Sequence, residues 1–400
     1  MKVIKGGITS PKGFLASSVS CGIKKSGRND LALLFSESPG LCAGQFTVNR
    51  FRSGSVSLSQ MRIKKGLSQA IIANSGNANA CVGKREIKDA EIVTEKLAGI
   101  LRLDRNKVLI ASTGIIGKSL PVMKIKKKIP DLVKGLKKVN GTRFSKAIMT
   151  TDTVHKECAV SVRLGNKDIR IGGAAKGSGM ICPKMATMLA FFTTDALIER
   201  HALESAFRES VAQSFNRITV DGDMSTNDTA IIFANGIAGN RRIKKGSPDY
   251  HKFLTALKFL SIQLAKKIVL DGEGATRFVE IVSKGARDAE SAEKVARSVA
   301  VSSLVKTMIA GGDPNWGRIA SSVGSSGVKV DKEKVEIYLG KKLVMKNGAG
   351  TKVPRNKLLD VFKKKEIDIV IDLKSGRHSA KIWTCDLTED YVKINAGYST

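Results

Sequence analysis

The residues best suited to carry out chemistry lie in the segment Lys176 to Phe192, which reads KGSGMICPKMATMLAFF. A glycine-containing stretch leads to a proline, then to Met185-Ala186-Thr187 and to an apolar run typical of a buried strand. If the peptide bond before Thr187 were broken, its hydroxyl and a new α-amino group would belong to one residue. Because a free α-amino group has a pKa of about 7.7 to 8, it can take the hydroxyl proton near neutral pH. This arrangement indicates a threonine nucleophile that carries its own base.

The same hydroxyl could also break the chain without help. A hydroxyl next to a strained amide can attack the preceding carbonyl and form an ester, which water then opens. The small side chain of Ala186 would permit the close approach that this attack needs. A threonine at the start of a strand is nevertheless common, so these residues alone leave an ordinary structural threonine as the alternative.

Two other stretches resemble phosphate-binding loops without matching them. The pattern G-x-x-x-x-G-K-[ST] requires glycine at position 112, where this chain has Ser112. The stretch at 172–179, GGAAKGSG, lacks the order G-x-G-x-x-G. Tight turns explain both stretches, and nucleotide-phosphate binding is the less favoured interpretation.

Acidic and histidine residues do not add a second candidate site. The acidic stretch at 221–228 lacks the ligand spacing of a calcium-binding loop, and the stretch at 271–273 has too few ligands. Turns are the simpler interpretation of both, and we expect neither a metal nor another cofactor. None of the histidines lies in a recognisable nucleophile motif, so a hydroxyl nucleophile would need another base. They are His155, His201, His251 and His378.

Hydrophobic patterning predicts a mixed α/β fold to position these residues. Short runs of β-branched residues predict strands at 69–73, 107–111, 229–234 and 277–282. Apolar residues at helical spacing predict helices over 87–100, 203–215 and 253–268. Core packing is sufficient to explain each of these stripes.

The C-terminal region shows strand and helix patterns of its own. The sequence EIDIVID at 366–372 alternates apolar and acidic residues, which predicts a half-buried strand. We expect the run at 380–387 to pair beside it. A helix is predicted from Asp288 to Met308, and a seam between two parts of the chain is expected near it.

Composition excludes several classes of protein. The chain has 400 residues, of which 26% are charged and 42% hydrophobic, so it can bury a core and is not simply disordered. The sequence has no run of 18 apolar residues, and its start lacks the apolar region of a signal peptide. We therefore expect a protein that is neither secreted nor membrane-spanning. Six scattered cysteines without a C-x-x-C pair fit a reducing cytoplasm.

The chain is strongly basic. It has 68 Lys and Arg against 36 Asp and Glu, a net charge of +32, which would attract nucleic acid and other polyanions. The lysines are nevertheless spread along the whole chain, and aromatic residues make up only 5% of it, too few for base-stacking platforms. A solvated basic surface is the favoured interpretation, with a non-enzymatic polyanion-binding protein as the alternative.

Ten stretches of the sequence, in order along nearly the whole chain, resemble the ornithine acetyltransferase family of arginine biosynthesis, also called glutamate N-acetyltransferase. The segment around Thr187 is the self-cleavage segment in this resemblance. The stretches are GGITSPKGF, GQFTVNR, ANSGNANAC, STGIIGKSL, MTTDT, KGSGMICPKMATML, FNRITVDGDMSTNDT, DGEGATR, GGDPNWGR and DLTEDYVKINAGYST.

The resemblance implies specific roles for residues of this chain. Self-cleavage would fall between Ala186 and Thr187, leaving Thr187 as the nucleophile that accepts an acetyl group. Thr113 and Gly114 match the oxyanion hole of the family, and a hydroxyl and a backbone N–H are suitable donors for that purpose. The implied substrate-binding residues are Thr150, Lys176, Thr187, Glu273, Asn395 and Thr400. The motif MTTDT leaves open whether Thr150, Thr151 or Thr153 contacts the substrate.

The resemblance also implies a reaction. N-acetylornithine would give its acetyl group to Thr187, and glutamate would then remove the acetyl group in a ping-pong transfer. Some members of the family also accept acetyl-CoA, and the sequence does not decide whether this chain does. The alternative within the same self-cleaving architecture is an aminopeptidase or other hydrolase, which passes the acyl group to water.

The implied fold is a layered α/β sandwich similar in outline to N-terminal-nucleophile hydrolases. Self-cleavage would produce an α chain of residues 1–186 and a β chain of residues 187–400. We expect a smaller C-terminal α/β portion from about 310 to 400 within the β chain. The family resemblance further implies assembly of the cleaved chains into an α2β2 heterotetramer.

Overall fold

The computed structural model describes residues 1–182 and 188–397. Tertiary contacts divide these residues into two compact units. The first contains residues 1–182, 188–216 and 223–268, and the second contains 217–222 and 269–397. The C-terminal portion expected from about residue 310 lies within the second unit. The predicted division between Ala186 and Thr187 lies outside the described residues.

The first unit is built on one sheet, which has nine strands among the described residues. Their order is β1-β6-β7-β8-β9-β3-β4-β5, and β2 pairs with β3. The strands are β1 (Lys2–Ile4), β2 (Phe14–Val19), β3 (Leu31–Phe46), β4 (Leu67–Asn77), β5 (Val108–Ile115), β6 (Lys156–Leu164), β7 (Lys167–Lys176), β8 (Leu189–Thr194) and β9 (Thr229–Ala234). The predicted strands at 69–73, 107–111 and 229–234 are thereby confirmed.

The long strand β3 connects the two halves of this sheet. Its first part pairs with β4 and its last part with β9, and the pairing register with β4 shifts between Phe35 and Gly40. A Cβ atom at Gly40 would lie 2.3 Å from the carbonyl oxygen of Ala234, so only glycine fits this close approach. One buried core holds Ile71 and Phe191 together with other side chains from both halves. The predicted α/β sandwich is confirmed.

Six helices of the described residues begin in the first unit. Helices α1 to α3 share a second core with the outer face of β3, β4 and β5. On the other half, Phe192 of β8 packs edge-on against Phe207 of α5, with ring centres 5.5 Å apart. The helices are α1 (Gly54–Lys65), α2 (Arg85–Leu101), α3 (Val122–Lys134), α4 (Gly141–Ala147), α5 (Arg200–Ala212) and α6 (Pro248–Leu270).

The second unit has its own sheet and core. Among the described residues the strand order is β13-β12-β11-β14-β10-β15. The strands are β10 (Phe278–Ala286), β11 (Glu336–Leu339), β12 (Lys342–Lys346), β13 (Ala349–Gly350), β14 (Glu366–Asp372) and β15 (His378–Cys385). The helices are α7 (Ala289–Val301), α8 (Ser303–Gly311), α9 (Trp316–Gly324), α10 (Arg355–Phe362) and α11 (Glu389–Gly397).

Two predictions for this unit were wrong in detail. Strand β15 pairs with β10 and not with β14, because β10 lies between them and runs parallel to β14. The helix predicted from 288 to 308 is two helices, α7 and α8. Ser302 breaks them with an extended ψ of 113°, and its side chain accepts the N–H of Val305 as the N-cap of α8.

No helix among the described residues combines the length and the apolar character needed to cross a bilayer.

Candidate active site

Three neighbouring strands of the first unit bring polar groups to the start of β8. In the pairing register, Lys176 at the end of β7 lies opposite Leu189, and Leu189 lies opposite Thr229 of β9. Asp228, directly before β9, accepts the N–H of Met188 with its Oδ1 at 3.0 Å. Thr187 and Ala186 lie outside the described residues, but Thr187 is the residue bonded to Met188 in the chain. The candidate nucleophile is therefore followed directly by a residue that Asp228 holds.

Asp228 is a fully buried carboxyl group. Its Oδ2 has no hydrogen-bond partner in the part of the chain that the structure describes. Burial raises the pKa of Asp228 well above its usual range, although the N–H of Met188 and the charge of Lys176 act in the opposite direction. The raised pKa favours the neutral form of this carboxyl group, which contacts the residue that follows the candidate nucleophile in the sequence.

Lys176 is buried beside a second acidic residue. Its ammonium group donates a hydrogen bond to Thr150 Oγ1 at 3.1 Å. Asp152 accepts the N–H of Thr150 with Oδ2 at 3.0 Å and the N–H of Gly177 with Oδ1 at 2.7 Å. Asp152 thus fixes the main chain on both sides of the contact between Lys176 and Thr150.

The carboxylate of Asp152 also forms a fully buried ion pair. Lys156 Nζ lies 2.6 Å from Asp152 Oδ1, and both side chains are inaccessible to solvent. Burial acts to raise the pKa of Asp152, but the charges of Lys156 and Lys176 and the N–H of Gly177 outweigh it, so the pKa lies below its usual value. The lowered pKa favours the charged form of Asp152, which balances two buried ammonium groups.

The three threonines of the MTTDT segment differ in their surroundings. Thr150 is the one whose hydroxyl contacts Lys176. Thr151 Oγ1 lies 2.6 Å from Ser178 Oγ, and Thr153 is exposed. Of the three, Thr150 therefore has the best position to act together with Lys176.

The candidate oxyanion hole lies at the end of β5. Thr113 is buried, and Gly114 has a φ of 134°. A Cβ atom at position 114 would lie 2.3 Å from the carbonyl carbon of Gly76 on β4. Glycine is required at 114 both by its φ and by the close approach of β4. Positions 113 and 114 belong to a strand that is paired with β4, so this stretch is not a phosphate-binding loop.

A buried network joins β5 to the loop before β9. Asn227 Nδ2 donates to the carbonyl oxygens of Ser112 at 2.8 Å and Ala78 at 2.6 Å. Ser112 Oγ in turn donates to Asn74 Oδ1 at 2.6 Å. Because Asn227 directly precedes Asp228, this network connects the strand of Thr113 and Gly114 to the group that holds Met188. The first unit thus brings Thr113, Gly114, Thr150 and Lys176 into one connected region.

Two further predicted residues meet in the second unit. Asn395 of α11 donates its amide Nδ2 to Glu273 Oε2 at 2.9 Å and to the carbonyl oxygen of Tyr391 at 3.0 Å. A carboxylate and an amide side by side can bind an ammonium group and polar oxygen atoms. Thr400 lies outside the described residues.

Sequence reasoning missed several of the buried polar residues around β8. Asp152 and Lys156 were not singled out, and Asn227 and Asp228 were considered only as parts of a metal-binding loop. The sequence feature that could have indicated them is a charged or polar residue next to an otherwise apolar strand. Such a residue needs a buried partner when the strand lies in the core. Within residues 1–182 and 188–397, no group of three metal-ligating side chains is placed to hold an ion.

Comparison with known proteins identifies the relatives of this chain. A model described as the ArgJ family matches residues 15–400. The "arginine biosynthesis bifunctional protein ArgJ" of Caldanaerobacter subterraneus is 46% identical over the whole of both chains. Its counterpart from Dehalococcoides mccartyi is 45% identical over 99% of this chain and 98% of that protein.

A solved structure agrees with this result. The crystal structure of arginine biosynthesis bifunctional protein ArgJ from Bacillus halodurans is 41% identical, with a TM-score of 0.51, and the match covers 52% of this chain and 98% of that chain. The resemblance drawn from the motifs is confirmed, and the chain belongs to the ArgJ family.

Proposed function

We propose that this protein transfers an acetyl group from N-acetylornithine to glutamate through an acetyl ester on Thr187. Membership of the ArgJ family makes it an acyltransferase of arginine biosynthesis. The observation that carries the residue assignment is the arrangement at the start of β8. There Asp228 holds the N–H of Met188, and Lys176 lies on the neighbouring strand.

The nucleophile is generated by cleavage of the chain between Ala186 and Thr187. The hydroxyl of Thr187 attacks the carbonyl of Ala186, and the bond from that carbon to the nitrogen of Thr187 breaks, which frees the α-amino group. Water then opens the ester, which leaves a carboxylate on Ala186 and restores the hydroxyl of Thr187. The solved relative supports this step, because 98% of that chain corresponds to only 52% of this one. Such a length is expected of one of two separate polypeptides.

Acetyl transfer then proceeds in two halves. Thr187 Oγ attacks the acetyl carbonyl of N-acetylornithine while the α-amino group of Thr187 takes the hydroxyl proton. The bond from carbon to nitrogen breaks, the proton passes to the departing amine, and ornithine leaves. The amino group of glutamate attacks the acetyl ester in the same way, which restores the hydroxyl of Thr187.

Developing negative charge is stabilised by donors at the end of β5. The hydroxyl of Thr113 and the N–H of Gly114 serve as the oxyanion hole, and removing one such donor typically costs about 2.7 to 4 kcal/mol of transition-state stabilisation. The network through Asn227 and Ser112 supports this role, since it fixes β5 relative to the loop that holds Met188.

Substrate binding is assigned to residues of the motifs that match the family. Lys176, backed by Thr150 and Asp152, binds a carboxylate of the substrate. Glu273, Asn395 and Thr400 are assigned to the remaining polar groups from the family resemblance, with Glu273 meeting the side-chain ammonium of ornithine. Assembly of the cleaved chains as an α2β2 heterotetramer belongs to the same proposal.

Mass analysis of purified variants tests the proposal. We expect two fragments from the wild type and from Thr187→Ser, which keeps a hydroxyl, and one intact, inactive chain from Thr187→Ala. After incubation with N-acetylornithine alone, the second fragment should carry one acetyl group on residue 187. An intact wild type with full activity would contradict the mechanism.

Product analysis separates transfer from hydrolysis. With N-acetylornithine and glutamate together we expect N-acetylglutamate and ornithine in equal amounts. With N-acetylornithine alone we expect ornithine only up to the amount of enzyme, because the acetyl ester is kept from water. Continuous release of acetate without glutamate would instead identify a hydrolase.

A further inference from the structure

Asp228 lies directly before β9 and contacts the start of β8. Its side chain is completely buried, and its Oδ1 accepts the N–H of Met188 at 3.0 Å. Met188 follows Thr187 in the sequence and directly precedes β8. No chemical step of the proposed reaction uses this carboxyl group, so its presence beside the start of β8 needs a separate explanation.

Both main-chain groups of Met188 are hydrogen-bonded to the same part of the chain. Its N–H donates to Asp228, and its carbonyl oxygen accepts the N–H of Thr229 at 3.1 Å. Thr229 begins β9, which pairs in parallel with β8 from Leu189 onward. The side chain of Asp228 therefore extends the contact between the two strands by one residue, to the position that follows Thr187.

The segment that carries Asp228 is itself fixed to other strands of the sheet. The main-chain oxygen of Asp228 accepts the N–H of Thr47, directly after β3, at 3.0 Å. Thr47 in turn donates its hydroxyl to the carbonyl oxygen of Ser225 at 2.8 Å. Asn227 donates to the carbonyl oxygen of Ser112 on β5 at 2.8 Å. We call residues 225–228 the clamp segment, because it contacts β3, β5 and β8 together.

The clamp segment fixes the nucleophile strand relative to the oxyanion strand. Ser112 directly precedes Thr113 on β5, and Asn227 directly precedes Asp228. Two consecutive residues thus hold the end of β5 and the start of β8. Such alignment matters for catalysis, because a displacement of about 1 Å between reacting groups can lower a rate about 100-fold.

Satisfying one buried N–H group does not by itself explain a carboxyl group at position 228. Burying a carboxyl group costs free energy that hydrogen bonds must offset. At the opposite end of β8, the equally buried Asp195 accepts two N–H groups, those of Lys12 at 3.0 Å and Arg170 at 2.8 Å. Asp228 Oδ2, in contrast, has no hydrogen-bond partner among the described residues. Poorly compensated polar groups of this kind are typical of functional sites.

We propose that Asp228 is a positioning residue for both chemical steps at Thr187. Through the main chain of Met188 it orients Thr187 first for attack on the carbonyl of Ala186 and then for attack on the acetyl donor. The inference rests on the proposed function, because both steps use the Thr187 hydroxyl. Asp228 acts through the main chain and is assigned no contact with substrate, so its loss should slow both steps without weakening substrate binding.

Three variants separate positioning from an ordinary contribution to stability. Asp228→Ala removes the acceptor of the Met188 N–H. Asp228→Asn keeps an acceptor oxygen and resembles the neutral carboxyl group that the raised pKa favours. The matched control, Asp195→Ala, removes an equally buried carboxyl group at the other end of β8, roughly 20 Å from Met188.

The two chemical steps are measured separately. Self-cleavage is followed over time on the full chain made by cell-free synthesis, with the fragments separated on denaturing gels. Transfer from N-acetylornithine to glutamate is measured by steady-state kinetics, with kcat expressed per cleaved chain as counted by mass analysis. Thermal denaturation gives the Tm of each variant.

We expect Asp228→Ala to lower both the cleavage rate and kcat about tenfold or more, while the KM for N-acetylornithine stays within about twofold of wild type. Asp228→Asn should restore both rates to within about threefold of wild type. Asp195→Ala should lower the Tm but leave the cleavage rate and kcat within about twofold of wild type.

Several outcomes would overturn the inference. They are wild-type rates in Asp228→Ala, a rise in KM with unchanged kcat, and equal slowing in Asp195→Ala, which would show that both rates simply follow stability. If Asp228→Ala does not fold, Asp228→Ser decides, because its shorter side chain cannot place an acceptor at the same point; wild-type rates in that variant would equally reject the role. A wild-type chain that stays intact and fully active would instead contradict the proposed function.

Discussion

The raised pKa of Asp228 makes the stability of the protein depend on pH. Because its pKa is raised in the folded state, the folded chain keeps a proton that the unfolded chain releases above about pH 4. The contribution of Asp228 to the free energy of unfolding is fully present below about pH 4, and it is lost as the pH rises through the pKa of the folded state.

Asp228→Asn should remove this dependence. Asparagine keeps an acceptor for the N–H of Met188 but does not ionise. We expect the difference in apparent Tm between the variant and wild type to become more positive as the pH is raised from about 5 to about 8. Thermal denaturation at a series of pH values measures this difference. Asp168→Asn, at a side chain that is 62% exposed, should show no such trend. A constant difference between Asp228→Asn and wild type across this range would disprove the neutral carboxyl.

The contribution of Asp152 to stability depends on pH in the opposite direction. Its folded pKa lies below the usual value, so its contribution to stability is present above about pH 4 and is lost as the pH falls through the folded pKa. The partner of this carboxylate in the buried ion pair is Lys156.

Removing one partner of this pair should cost more than removing both. Lys156→Met leaves the carboxylate of Asp152 with one buried cation fewer, and such a loss costs about 3 to 5 kcal/mol of unfolding free energy. The double variant Asp152→Asn with Lys156→Met should recover part of this loss, because it removes both charges of the pair, although Lys176 then loses the charge of Asp152. Urea unfolding of Asp152→Asn, Lys156→Met and the double variant measures the coupling, and additive losses would argue against a buried ion pair.

Motif positions around β8 could be assigned from the sequence, whereas their supporting residues could not. Thr150, Lys176 and Gly114 lie in segments whose residues match motifs of the family. Asp152 and Asp228 are near such segments, but their roles depend on strand pairing and burial. A single sequence does not report which strands are neighbours, so the partners of a buried carboxylate remain hidden until the sheet is known.

At the scale of single elements, β5 and the turn that follows it show why two glycines with positive φ are not equivalent. Gly114 has a φ of 134° and faces the backbone of Gly76, whereas Gly117 has a φ of 81° and open space around it. A side chain at 114 therefore pushes β4 and β5 apart at the candidate oxyanion hole.

Gly114→Ala should abolish most of the transfer activity. Displacing one oxyanion donor typically lowers kcat about 100- to 1,000-fold. Gly117→Ala, the matched control, should cost about 1 kcal/mol of stability from its φ and leave kcat nearly unchanged. Steady-state kinetics of both variants measure the difference, and equal kcat values would remove Gly114 from the oxyanion hole.

The elements of the second unit show the limits of periodicity. Alternation in EIDIVID predicted the strand β14 and its two faces correctly. It could not predict that β10 would insert between β14 and β15, since neighbour choice depends on connections between distant parts of the chain. The break at Ser302 was likewise hidden, because an apolar stripe continues from α7 into α8 while the serine caps the second helix.

At the scale of the whole molecule, the proposed function assigns a substrate contact to Asn395. Asn395→Ala removes an amide that contacts Glu273. We expect the KM for N-acetylornithine to rise about tenfold, while mass analysis shows self-cleavage as complete as in wild type. Asn356→Ala, an exposed asparagine of the same unit, is the control and should change neither. An unchanged KM in Asn395→Ala would remove Asn395 from the substrate-binding residues.

The strand order of the first unit also determines what the proposed cleavage would do to the protein. Strands β8 and β9 would belong to the later polypeptide, yet they stand between β7 and β3 of the earlier one. Neither product could complete the sheet alone, since each would expose unpaired strand edges. The proposed mature enzyme would thus be an obligate two-chain complex that cannot be diluted into functional halves, and we expect co-expression of both pieces, with the second starting at Thr187, to reconstitute it by fragment complementation.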